Sequence, residues 1–428
     1  MSIAETAAQS GAQKTELMLF FTLLELTIIV LAARIGGAIA RRCYQSAAVG
    51  EILVGILLGP SLFGWLAPHA FNYVFHSAPP EPLTILSNLG LVLLMFQIGL
   101  EFDFSHLTER MNRAAVLRIS AVCLALPFAC GLAVGLAIPL ESPPAARLST
   151  ALFVATALSI TALPTLGRIM MELNLTRTRV GVIAVSAAAV NDVVGWLLLA
   201  LVTALAVSDF SGSRFGLRIA MVIVFGLISV FLVRRLLKKL VRRLPPEDGK
   251  MSGNLLGALL AVIFIAAMTT YQIGIFAIFG GFMMGVILYD EAALVKAWRE
   301  RLGDFVTVFF LPIFFTYTGL RTSIGGLDTA ADWGWCSTIV AVAMLTKLGG
   351  AYFMARCSGL SRPESAIIGF MMNTRALMEL IVLNVGLDLG VITPKLFTML
   401  VIMAVVSTVI TTPALRCLMP RAGLKLHA

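Results

Sequence analysis

The sequence predicts an all-α polytopic membrane protein of about thirteen transmembrane helices, and three observations carry that expectation. Hydrophobic residues make up 59% of the 428 and charged residues only 13%, whereas a soluble domain usually holds about 25% charged and 45–50% apolar residues. The apolar residues fall in separate blocks of roughly 20, the length that crosses a bilayer as a helix. Basic residues collect in alternate loops between those blocks, the pattern expected of a membrane topology. No stretch of about 100 residues reads as a soluble domain, so one membrane unit is expected.

The spans are expected near 17–40, 47–65, 83–100, 114–140, 147–170, 179–207, 216–235, 253–270, 273–290, 304–322, 336–356, 364–388 and 394–418. The second, third and ninth are short, and only a Gln272–Gly274 turn divides the eighth from the ninth. The polar start MSIAETAAQSGAQKTE has no basic n-region or clear cleavage site, so the first span is expected to be a retained helix.

Loops after odd-numbered spans carry Arg41 and Arg42, Arg110 and Arg113, then Arg177 and Arg179. The same holds for Lys296, Arg299 and Arg301, for Arg356 and Arg362, and for Arg421 and Lys425 in the tail. Loops after even-numbered spans are nearly bare, and 66–82 has no Lys or Arg. The N-terminus is therefore expected outside and the C-terminus in the cytoplasm. The net charge of +9 belongs to these loops and does not point to nucleic acid. The longest basic run, Arg234 to Arg243, is either a stop anchor or a contact for anionic lipid. Six cysteines without CxxC spacing predict neither a disulfide framework nor a metal site.

Ionisable groups inside spans are costly and point to function. Asp192, in SAAAVNDVVGW beside Asn191, falls near the middle of the sixth span among apolar neighbours. Burial disfavours the charged form of a carboxylate, so such a group can hold a proton or a cation in turn. The alternative is a structural Asp paired with a base elsewhere. In the fifth span, Thr156, Ser159 and Thr161 precede Pro164. Proline removes a backbone donor, so this segment is either a plain kink or an unwound stretch offering hydroxyl and carbonyl oxygens to a small cation. In the twelfth span, Asn373 and Thr374 suggest a second break, and Arg375 stands four residues before Glu379. Arg375 is expected either to neutralise the carbonyl end of a broken helix or to form a self-contained pair with Glu379. Lys347 lies well inside the eleventh span, where it would pair with a carboxylate or with a polar group such as Asn191, or else snorkel. Glu51, placed near a helix end, and Gln97 are weaker candidates.

Spans one to six and eight to thirteen can be matched as two six-helix halves. With the seventh as a linker the halves are inverted, and the unusual fifth and twelfth spans occupy equivalent places. Crossing broken helices at the midplane are a common plan of secondary transporters.

These segments also carry a resemblance. SAAAVNDVVGWLLLAL and GFMMNTRALMELIVLNVGLDLGVITPKLF resemble plant cation/proton exchangers of the second cation/proton antiporter family. GEILVGILLGPSLFG, FQIGLEFDFSHL and FLPIFFTYTGLRTSI match that family too, and are similar to the membrane part of bacterial glutathione-gated potassium efflux proteins. The five motifs follow the family order over about residues 20–418.

The resemblance implies the sodium/proton antiporter fold of two inverted repeats, a homodimer and an elevator movement. It implies dimer-domain helices over 1–110, core helices over 111–210, a linker helix and basic loop over 211–250, dimer-domain helices over 251–325 and core helices with a short tail over 326–428. Asp192 then corresponds to the essential ion-binding carboxylate and Lys347 to a core lysine. Anionic lipid would also suit the dimer interface. Electrogenic relatives carry two adjacent aspartates where this chain has Asn191 and Asp192, so 1:1 electroneutral exchange of Na⁺ or K⁺ for H⁺ is expected, with no cofactor and no enzymatic reaction. A lysine that also carries a proton would alter that count. A nucleotide-binding domain after the last span is not expected, and neither is gating by nucleotide within this chain. The short form suggests a bacterial inner membrane. A channel-like uniporter, a cation-coupled symporter of an organic solute and a non-transporting scaffold are the other readings.

Overall fold

The computed structural model describes residues 3–77, 79–100, 110–139, 144–175, 178–207, 212–246, 251–273 and 276–424. Arg177, Lys425, Gly274 and residues 101–107 of the FQIGLEFDFSHL motif lie outside them, as do the side chains of Arg110 and Arg113.

Among the described residues the chain is helical throughout. Helix α1 (Ile3–Arg42) leads into α2 (Ala47–Leu57), two short helices α3 (Phe63–Leu66) and α4 (Pro68–Phe75), and α5 (Glu81–Leu100). Then come α6 (Arg110–Ala137), α7 (Pro144–Ser159), α8 (Leu163–Glu172) and α9 (Arg179–Val207). A further helix, α10 (Gly212–Ile228), continues through a π turn into the basic α11 (Arg234–Arg243). The rest is α12 (Gly253–Ile273), α13 (Ala277–Val286), α14 (Ala292–Trp298), α15 (Leu311–Leu320), α16 (Ala330–Cys357), α17 (Arg362–Met372), α18 (Leu377–Asp388) and α19 (Pro394–Leu418).

Nine helices among the described residues are long and apolar enough to cross a membrane, or ten if the bent pair 292–303 and 306–326 is one span. That is fewer than the thirteen expected. The difference lies in helices that stop early. The stretch expected at 47–65 is helical only to Leu57 before two short helices, the one at 147–170 is broken after Ser159, and the one at 273–290 holds a ten-residue helix. The third stretch is not short, since α5 has 20 residues.

Start signals are explicit at several helices. Thr329 and Asp332 form a capping box at α16, Ser361 and Glu364 form another at α17, and Thr393 caps α19 ahead of Pro394. On α11, Arg234 and Lys238 reach Asp290 beyond α13 at 2.8 and 2.5 Å. Partial burial alone would raise the Asp290 carboxyl, but these two cations outweigh it and hold it below the usual carboxylate range.

Two groups of helices pack mainly among themselves and meet where α2 touches α8 and α19. One runs α1 on α2, α2 on α15, α15 on α5 and α5 on α13 and α12. The other joins α6 to α7, α9 and α16, and α16 to α17 and α19. Small residues let backbones touch where side chains would hold them apart. A β-carbon on Gly319 of α15 would strike the Gly55 carbonyl of α2, and one on Gly285 would strike the Phe96 carbonyl of α5. Gly319→Val should therefore lower stability by about 1–3 kcal/mol or more, read as a fall in the temperature at which detergent-solubilised protein loses monodispersity. Gly334→Ala, in open space on α16, should leave that temperature unchanged or slightly higher.

Candidate ion-binding site

The site is built where two helices stop inside the second group. Pro164, at the start of α8, has no N–H to give the Ile160 carbonyl one turn back. Helix α7 therefore ends at Ser159, and Ile160, Thr161 and Ala162 run unwound to α8. The second interruption has neither proline nor glycine. Helix α17 ends at Met372, residues 373–376 are not helical, and Ala376 takes φ +82° and ψ −108° before α18 begins. A positive φ disfavours an L residue with a β-carbon, so tertiary contacts must impose this bend.

Those contacts are to the first interruption. The Ala162 N–H donates to the Thr374 carbonyl at 3.0 Å, and the Thr161 hydroxyl lies 3.4 Å from the Met372 carbonyl. The Arg375 N–H donates to the Thr408 hydroxyl of α19 at 3.3 Å. The Arg375 guanidinium donates to the carbonyls of Ala157 at 3.1 Å and Leu158 at 2.8 Å, and pairs with Glu379 at 3.2 Å. Arg375 thus meets the carbonyl end of a broken helix, and its pair with Glu379 is not self-contained; it also sits in the break rather than sharing a helix with Glu379.

Lys347 is fully buried on α16. It does not snorkel, and it bonds neither Asn191 nor a carboxylate. Its ammonium donates to the Cys123 carbonyl of α6 at 2.9 Å and to the Ser159 carbonyl. The carbonyls of residues 157, 158 and 159 form the last turn of α7, where a helix carries its negative end. Two buried cations cap them.

Asp192 lies 13 residues into α9, about 20 Å along its axis. It is 1% exposed, and both carboxylate oxygens are buried without a hydrogen-bond partner. The first N–H of α8, that of Leu163, is directed at this carboxylate without completing a hydrogen bond. Asn191 places its amide 3.5 Å from the Thr161 hydroxyl, which ties α9 to the first interruption. Thr156 and Ser159 are buried, but their hydroxyls donate within α7, to the carbonyls of Leu152 and Ala155. Their oxygens remain acceptors.

At the second interruption, both amide atoms of Asn373 and the Thr374 hydroxyl are buried and unpaired, as is Ser407 on α19. Buried polar atoms normally find partners, so these groups are open to a polar occupant. Oxygen donors of this kind suit a hard cation. Ser407 and Thr408 were not singled out in the sequence, since one hydroxyl on an apolar helix resembles many others. Glu51 is buried in the body of α2, 3.9 Å from Arg34, and not near a helix end.

A family model described as the transmembrane sodium/hydrogen exchanger matches residues 28–419. Among curated proteins, the Na(+)/H(+) antiporter NhaS4 of Synechocystis is 38% identical over 399 residues, which cover 92% of this chain and 96% of that protein. Cation/H(+) antiporter 17 of Arabidopsis thaliana is 36% identical over 420 residues, 96% of this chain and 50% of the plant protein. Among solved structures, the sodium proton antiporter MjNhaP1 of Methanocaldococcus jannaschii superposes with a TM-score of 0.64 at 15% identity, covering 94% of this chain and 97% of that one. That likeness concerns the fold. The family match runs through both interruptions and Asp192, and the chain belongs to the transmembrane sodium/hydrogen exchanger family.

Proposed function

We propose that this protein is a secondary-active antiporter that exchanges Na⁺ or K⁺ for H⁺, and that the two ions compete for Asp192. One observation carries the reading: a buried carboxylate with no partner of its own stands beside an unwound segment. An empty acceptor in a dry place costs several kcal/mol. A proton or a dehydrated cation removes that cost, and they cannot both occupy it. Thr161 and carbonyls of the unwound segment are the other oxygens in reach of a small cation. The names of the relatives support the same reading, since both are cation/H(+) antiporters.

The proposal extends to stoichiometry, movement and placement in the membrane. Lys347 gives its donors to carbonyls rather than to Asp192, which favours a fixed structural cation and leaves a single exchanging carboxylate. Exchange is then 1:1 and electroneutral. The group containing α6, α7, α9 and α16–α19 carries the site and moves as an elevator against the group of α1, α2, α5, α12, α13 and α15, which holds the homodimer. The two interruptions belong to inverted repeats. The protein sits in a bacterial inner membrane with its N-terminus outside, and the exposed basic face of α11 rests on anionic lipid.

Purified protein in liposomes with an internal pH dye tests the proposal. Addition of Na⁺ or K⁺ should move protons at a rate that ignores a membrane-potential clamp, and Asp192→Asn should abolish that flux while the protein stays monodisperse. A cation flux without proton movement would establish a uniporter instead, and a requirement for an organic solute would establish a symporter.

Competition also fixes the sign of the pH dependence. At acid pH a proton occupies Asp192 and must leave before a cation enters. Raising pH should therefore lower the half-saturating cation concentration, by up to about tenfold per unit, until the curve flattens where the carboxylate is already free. A half-saturating concentration that does not change with pH would contradict a shared site.

A further inference from the structure

The two helix groups meet again at the end where α15 and α18 stop. Arg321 follows the last residue of α15, a helix packed on α1, α2 and α5. Helix α18 packs on α7, α8 and α19, in the group that carries Asp192. Arg321 donates to Asp388 of α18 at 2.5 Å and to the Asn384 side-chain oxygen at 3.1 Å. Asn384 in turn donates to the Thr318 hydroxyl of α15 at 2.7 Å. The guanidinium is braced from its own helix, with the Tyr317 hydroxyl at 3.0 Å and the Tyr317 ring beneath it at 5.1 Å.

This set matches in spacing on both sides. Asn384 and Asp388 are one turn apart on α18, and Arg321, which caps α15 in helical conformation, stands three residues after Thr318, so each pair presents one face. The fit exists in a single register. Sliding α18 by one turn, about 5.4 Å, leaves Arg321 facing at most one of Asn384 and Asp388, so the full set of bonds is broken in either direction. Helix α18 offers no substitute, because its remaining charged side chain, Glu379, is engaged by Arg375. Asn384 is buried, whereas Asp388 is partly open to water, so breaking the set exposes one end and strands the other.

We infer that Arg321, Asn384 and Asp388 form a one-register lock that favours the present arrangement of the two groups over the other end of the transport cycle. The inference rests on the proposed elevator movement and adds to it a device that sets how often the site faces each side. Loss of the lock shifts the population of the two states, so turnover and half-saturating cation concentration change together although no residue near Asp192 has been altered.

The test uses the full protein in liposomes. Arg321→Gln and Asp388→Asn should each change turnover and half-saturating cation concentration by about fivefold, the ratio expected from one partly exposed, hydrogen-bonded ion pair. The exchanged pair, Arg321→Asp with Asp388→Arg, should return both quantities toward wild type, which a merely misfolded variant would not do. Wild-type constants in both single variants, or no recovery in the exchanged pair, would overturn the lock. A second measurement separates this from the elevator reading. With the six native cysteines replaced, Arg321→Cys and Asp388→Cys are bridged by a short thiol cross-linker. Transport should stop on bridging and resume on release. If bridging stops transport while the single variants behave as wild type, the movement stands and the lock falls. If bridging leaves transport intact, the movement itself is contradicted and the lock with it.

Discussion

The carbonyls of Ala157, Leu158 and Ser159 end a helix in the middle of a protein that crosses a membrane. At a water-exposed helix end, solvent would satisfy such groups. Here no water-exposed end is at hand, and each unsatisfied backbone group at membrane depth costs several kcal/mol. Arg375 takes two of the carbonyls and Lys347 takes the third. The two cations come from α16 and from the second interruption. The unwound stretch therefore exists only in the assembled bundle, and most of the site depends on this capping.

Polarity along the broken helix then does useful work. The carboxyl end of α7 is negative and is held by Arg375 and Lys347, while the amino end of α8 is positive and faces Asp192. Glu379 compensates Arg375. Arg375 and Lys347 already have acceptors, whereas the Asp192 oxygens have no hydrogen-bond partner. On the proposed reading, a mobile ion is admitted at one charge while its neighbours keep their partners. Such a division of roles is what would distinguish the proposed transport site from a buried ion-pair network, in which every charge has a permanent partner. Strain at Ala376 belongs to the same design, because its positive φ persists only while Thr374, Arg375 and Thr408 are held across the crossing.

Much of this was legible in the sequence, for identifiable reasons. Asp192, Lys347 and Arg375 stand out because charge is rare in apolar spans, and Pro164 announces its own break through chemistry local to one turn. The second interruption was only hinted at by Asn373 and Thr374, since nothing local ends α17. Contacts from α7 and α19, far away in the chain, end it. The partners of Lys347 were illegible for a related reason. They are backbone carbonyls, which every residue possesses, and only the fold selects Cys123 and Ser159. Helix lengths erred where the chain changes direction within an apolar run, as after Leu57, because hydropathy reports burial from water and not continuity of helix. Arg321, Asn384 and Asp388 escaped notice because they lie near span ends, where polar residues are ordinary.

The central claim is that a proton and a cation exclude one another at Asp192, and equilibrium binding tests it without any transport assay. Purified protein held in weak buffer near neutral pH is titrated with Na⁺ and with K⁺ while released protons are recorded. The account predicts that binding of the transported ion expels protons in proportion to sites filled, and that Asp192→Asn neither binds the ion nor releases protons. Cation binding without proton release, or proton release that survives in Asp192→Asn, would contradict it.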